Sequence, residues 1–167
     1  LNFFITGLPR SRTAWLAVVA TTGAAICHHE PGSGDYASAR DLWASGDGVG
    51  ISDAGLGLHL SRILAEIGPR VLIVDRDPDA VLASFERFAP DLVGEPTALR
   101  FRLAQLQAAL AVEHPLIRRV AFDALHDQQT VADAMSWLGV SPLNLPQMMH
   151  LNVQSDLRHT LAKLRVA

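Results

Sequence analysis

Three short segments hold most of the residues able to do chemistry. Gly7-Leu8-Pro9-Arg10-Ser11-Arg12-Thr13 places two arginines and two hydroxyls directly after an apolar run, Asn2 to Thr6. A strand, a tight loop and a helix start form an anion site, because unpaired backbone N–H groups and the helix dipole face the ligand. Arginine suits oxyanions, since its planar fork pairs with them at two points. The segment is not a Walker A loop, which needs Gly-Lys-Ser/Thr after four residues, for Arg12, Thr13 and Ala14 stand at those places. Without a ligand, it reads as a helix capped by Ser11 with two solvated arginines.

The second segment is Asp75-Arg76-Asp77-Pro78, with Ser84 eight positions beyond Arg76. Arg76 leaves a strand end and Ser84 lies two turns along the following helix, so both can reach one phosphate. The plain reading is an N-cap at Asp77-Pro78 and an exposed arginine. The third is His28-His29-Glu30-Pro31. Glu30, or a histidine with its ordinary pKa near about 6.5, offers a proton acceptor. Adjacent residues rarely point at one metal ion, and no spaced ligand set accompanies them. A surface turn is the alternative for this segment.

These segments need elements to position them. Short apolar runs at Asn2 to Thr6, Ala24 to Cys27, Arg70 to Val74 and Leu116 to Ala121 predict strands. Helical spacing predicts helices over Ser11 to about Thr22, Leu56 to Ile67, Pro78 to Phe88, Pro96 to Glu113, Val131 to Leu138 and Val153 to Leu164. His28 to Asp53 reads as loop with one short helix near Tyr36 to Trp43. Strands alternating with helices indicate an α/β fold, a mainly parallel sheet covered on both faces. Ligands of such sheets bind beyond the carboxyl ends of the strands, where all three segments fall.

Composition sets the outer limits. The 167 residues, 49% hydrophobic and 19% charged, predict a single domain over 1–167 and exclude disorder. A net charge of −3 argues against a nucleic-acid or anionic-membrane surface. One cysteine, Cys27, excludes an internal disulfide framework and a cysteine-built zinc site. No apolar run reaches a membrane span and no basic leader is visible, so a soluble cytoplasmic protein is expected. Lys163 is the one lysine among the 14 basic residues, leaving arginine to carry any anion site.

G-L-P-R-S-R-T-A-W-L resembles the 5′-phosphosulfate loop of sulfotransferases, written P-(K/R)-S-G-T-(T/S)-W/L-L. Pro9, Arg10, Ser11, Thr13, Trp15 and Leu16 match, while Arg12 replaces the usual glycine and Ala14 the usual hydroxyl residue. Arg76-Asp77-Pro78 with Ser84 resembles the family's 3′-phosphate motif, although Asp75 stands where an apolar residue is usual. His28-His29-Glu30-Pro31 resembles the short acidic motif after the second strand of carbohydrate and tyrosyl-protein sulfotransferases. Val120 to Leu125 with Trp137 to Val140 is similar to the family's Y-E-D-L … F-L-G-L segment, so the resemblance runs from Leu8 to about Val140. The chain is shorter than typical members, and the Gly-rich C-terminal nucleotide segment of the cytosolic type is not seen.

The resemblance implies a three-layer, P-loop-like α/β/α fold and 3′-phosphoadenosine-5′-phosphosulfate (PAPS) as co-substrate, without a metal. Pro9, Arg10, Ser11, Arg12, Thr13 and Ala14 would hold the 5′-phosphosulfate, and Arg76 and Ser84 the 3′-phosphate. Glu30, with Arg10 and His29, would serve catalysis on a small-molecule or glycan hydroxyl or amine. Two other readings stay open: a nucleotide-dependent phosphotransferase, and a degenerate nucleotide-binding module without turnover.

Overall fold

The computed structural model describes residues 1–32, 34–88 and 96–151. Five strands form one sheet: β1 (Phe3–Gly7), β2 (Ile26–His29), β3 (Val49–Ser52), β4 (Arg70–Asp75) and β5 (Ile117–Ala121). Their order is β2-β3-β1-β4-β5, and every pairing is parallel. The central strands are the apolar ones. All of β1 is buried, as are Val71 to Val74 of β4, whereas the edge strands β2 and β5 are half open. That is the pattern expected where both faces of a parallel sheet are covered.

Side-chain alternation splits the core into two layers. Phe3, Ile5, Leu72, Val74 and Val120 face α1 (Thr13–Ala20) and residues that follow β5. Phe4, Ile51, Val71 and Ile73 face α2 (Tyr36–Ala44), α3 (Leu60–Glu66), α4 (Pro78–Phe88) and α5 (Pro96–Leu110). The first layer is completed by α6 (Gln128–Leu138), stopped by Gly139 at φ 78, and by the short α7 (Leu145–Met148). Trp15 Nε1 donates to the Met148 carbonyl at 2.9 Å and ties α7 to α1. Helices on both faces of a parallel sheet make the three-layer α/β/α arrangement expected from the sequence.

Three expectations are corrected. A fifth strand, β3, lies inside the stretch read as loop with one helix. Its Gly50 hides it from apolar patterning, and that glycine is needed: a Cβ there would stand 2.1 Å from the Phe3 ring. β2 begins two residues later than the predicted Ala24, because Thr22 and Ala25 close a turn by a 2.7 Å backbone bond. His28 and His29 therefore end the strand, and Glu30 alone follows it. Finally, α1 starts at Thr13, since Arg12 at φ 60 is not helical, so Ser11 does not cap it. The helix expected over Val153 to Leu164 lies outside the described residues.

The connection leaving β1 runs to β2 on one side, and that leaving β4 runs to β5 on the other. Between two neighbouring strands whose connections diverge, a crevice opens at the carboxyl ends. Here it lies between β1 and β4.

Candidate functional site

The segments after β1 and β4 meet in that crevice. Arg10 Nε donates to Ser84 Oγ at 3.2 Å, and its guanidinium stacks 5.3 Å from the Phe88 ring centre. Arg76 donates to the Arg10 carbonyl and lies 4.0 Å over Phe122, the first residue after β5. Arg12 shares the Phe122 ring at 5.7 Å, covers Trp15 at 5.5 Å, and donates to the Leu125 carbonyl at 3.5 Å. Of the expected binding residues, Arg10, Arg76 and Ser84 are thus directly linked, with Arg12 joined to Arg76 through one aromatic ring.

This is a cluster of positive charge, only partly offset by Asp123. Among the described residues, Arg10, Arg12 and Arg76 make no ion pair, while Arg40, Arg62, Arg100 and Arg119 each hold a carboxylate. Burial first, and then the neighbouring Arg10, holds Arg76 below the ordinary guanidinium range, with Asp123 opposing part of the shift. Like charges at such spacing cost energy that an arriving anion recovers.

The loop itself is open to an anion. The first turn of α1 carries no acidic residue and no side-chain cap, so its N–H groups are not taken by a carboxylate. Ser11 is fully buried and its Oγ has no partner among the described residues; Arg76 Nε is also buried without one among them. A buried polar atom left unpaired costs roughly 1–3 kcal/mol. Arg10 and Arg12 sit at φ 66 and 60, a region that costs non-glycine residues about 1–2 kcal/mol each. Two strained residues and two orphaned polar atoms within one loop and its neighbour mark a place built for something other than stability. The donor set, three guanidiniums, two hydroxyls and a helix start, fits a ligand with phosphate or sulfate groups.

The acidic motif stands two strands away, about 10 Å from the end of β1 at ordinary strand spacing. Glu30 is exposed and takes φ 48, with its N–H donating to the Ser52 carbonyl at 2.9 Å. His29 Nδ1 lies 3.1 Å from the same carbonyl, and its Nε2 lies 3.9 Å from Glu30 Oε1. A carbonyl only accepts, so the neutral ring carries its proton on Nδ1 and its lone pair on Nε2. His28 is half-buried and joins no such contact among the described residues. Among the described residues no group of three or more His, Cys, Asp or Glu side chains is placed to hold a metal ion.

Sequence reasoning missed the hub between the two halves. Ser52 closes β3 and donates from Oγ to the Thr13 carbonyl at 2.8 Å, while its own carbonyl receives Glu30. Asp53 comes next in the chain, buried at 1% exposure. Both were hidden because β3 was. Phe88 and Phe122 stood in apolar patterns, and nothing in the sequence assigned them to arginines.

A cleft of about 540 Å³ opens beside the loop, with Leu8, Arg76, Pro78, Leu110 and Glu113 among its walls. Its size suits a small molecule. No helix among the described residues is long and apolar enough to cross a membrane. No protein-family model, curated protein or solved structure matches this chain.

Proposed function

We propose that this chain transfers a sulfuryl group from PAPS to a hydroxyl or amine of a small-molecule or glycan acceptor. The observation that carries the reading is the hydrogen bond from Arg10 to Ser84, because it joins the two phosphate-directed segments into one site. Arg10, Ser11, Arg12 and Thr13, with the backbone from Pro9 to Ala14, hold the 5′-phosphosulfate at the start of α1. Arg76 and Ser84 receive the 3′-phosphate.

In the transfer the acceptor oxygen or nitrogen attacks sulfur, and the bond from sulfur to the 5′-phosphate oxygen breaks. Glu30 takes the acceptor's proton, and His29 Nε2, 3.9 Å from its carboxylate, is the second group able to do so. Arg10 and the α1 N–H groups stabilise the charge that develops on the leaving phosphate oxygen. The products are the sulfated acceptor and 3′-phosphoadenosine-5′-phosphate.

A nucleotide-binding module without turnover is the second reading. Arg12 favours it, since a strained arginine stands where the resembling loop has glycine. Incubation with sulfur-labelled donor and a panel of phenols, sugars and amines separates the two. Labelled product that falls roughly 10²–10⁴-fold in Glu30→Gln, with nucleotide affinity unchanged, supports the transferase. Tight nucleotide binding with no product from any acceptor supports the module.

A further inference from the structure

Asp53 is a buried carboxylate that the proposed transfer does not use. At 1% exposure it has no cationic partner among the described residues. Its Oδ1 accepts from Leu56 N and its Oδ2 from Gly34 N, each at 3.1 Å. The first bond is local, three residues along the chain, and reaches the second residue of the short helix Gly55–His59 that comes after β3. The second reaches back 19 residues to the segment that carries Glu30. Its main chain is fixed as well: the N–H donates to the Ile5 carbonyl at 3.0 Å, and the carbonyl accepts from Thr6 Oγ1 at 2.9 Å. One residue therefore bonds to β1, just before the arginine loop, and to the stretch behind Glu30.

The surroundings leave Gly34 little other room. Gly34 takes φ 88, and a Cβ on Gly55 would stand 3.2 Å from both Gly34 Cα and Asp53 Oδ1. Two glycine backbones thus touch over the carboxylate. Glu30 is pinned at its own N–H by Ser52, so the pair Ser52 and Asp53 hold both ends of the approach to the acidic motif.

We propose that Asp53 is a positioning residue, whose carboxylate takes the Gly34 and Leu56 amide protons and so fixes the chain that follows His29 and Glu30 against the end of β3. The role in catalysis rests on the transferase reading; the clamp itself does not. A carboxylate at this place suits the task, because it alone accepts two amide protons on separate oxygens without offering a competing donor.

The test is Asp53→Asn, whose amide keeps one acceptor oxygen. Asparagine favours local side-chain bonds to its own following backbone, so its oxygen keeps the Leu56 amide, while the NH2 cannot accept from Gly34 and that bond is lost. Hydrogen exchange is the first readout: the Gly34 and Glu30 amides should exchange faster, with those of β1 and β4 unchanged. Unaltered exchange at Gly34 overturns the clamp whatever the protein's activity. The second readout is transfer to the wild-type acceptor, or to water as slow donor desulfation. The rate should fall on the order of 10²-fold, as for misplacement of about 1 Å, while the affinity and stoichiometry for 3′-phosphoadenosine-5′-phosphate hold. The acid limb of the pH–rate profile should keep its midpoint. Loss of that limb makes Asp53 the base, and a parallel drop in nucleotide stoichiometry makes it merely structural; either overturns the proposal, as does a wild-type rate. Failure of the wild type to bind that nucleotide counts against the transferase reading and leaves the exchange result to decide the clamp.

Discussion

Arg10 and Ser84 are 74 residues apart in the chain, yet the guanidinium Nε of one donates to the hydroxyl of the other at 3.2 Å. The contact links the segments that follow β1 and β4, and Arg76 adds a second link by donating to the Arg10 carbonyl. Arg10→Ala should therefore weaken binding of 3′-phosphoadenosine-5′-phosphate by on the order of tenfold or more, the worth of one charged hydrogen bond. Arg10→Lys should retain part of the affinity, since lysine supplies charge without the two-point fork. Calorimetry on both variants checks this, and wild-type affinity in Arg10→Ala removes Arg10 from the site.

Ser11 should behave in the opposite way to an ordinary buried residue. Its hydroxyl is enclosed and unpaired among the described residues. Ser11→Ala should leave stability unchanged or raise it by up to about 1 kcal/mol, because an orphaned polar atom is removed. The same change should weaken nucleotide binding several-fold. Thermal melts with and without nucleotide read both effects; lower stability with unchanged binding makes Ser11 a structural residue.

How much of the molecule was legible depends on what signal each residue gives. β1 and β4 are central and mostly apolar, so patterning placed them within a residue or two. The arginine loop and the Arg76-to-Ser84 spacing were equally visible, because they sit on chain breaks with Gly and Pro. β3 was not legible, since Gly50 yields its side-chain space to Phe3 and no alternation survives in so short a strand. With β3 went Ser52 and Asp53, whose roles arise from hydrogen bonds to distant backbone groups. The left-handed turn at Arg12 was hidden for a different reason: a large side chain gives no warning of positive φ.

Cys27 offers a check on the packing around the edge strand. Burial pushes its thiol up to about 12. Its folded pKa thus exceeds that of the unfolded chain, about 8.5. The stability it supports is fully present below that lower value and is lost as pH rises toward 12. Urea midpoints measured from pH 8 to 11 should fall more steeply in the wild type than in Cys27→Ala. Identical slopes place the thiol in contact with solvent.

Above all, the crevice between β1 and β4 should recognise a 3′-phosphate together with a 5′-anion. Calorimetric titration with 3′-phosphoadenosine-5′-phosphate and with ADP tests this most directly. On the proposed reading only the first carries a phosphate for Arg76 and Ser84, and charged hydrogen bonds are worth roughly 1.5–3 kcal/mol each. The 3′-phosphorylated nucleotide should bind at least about tenfold more tightly, with the preference abolished in Arg76→Ala/Ser84→Ala. Equal affinities in the wild type would contradict a 3′-phosphate site at this crevice.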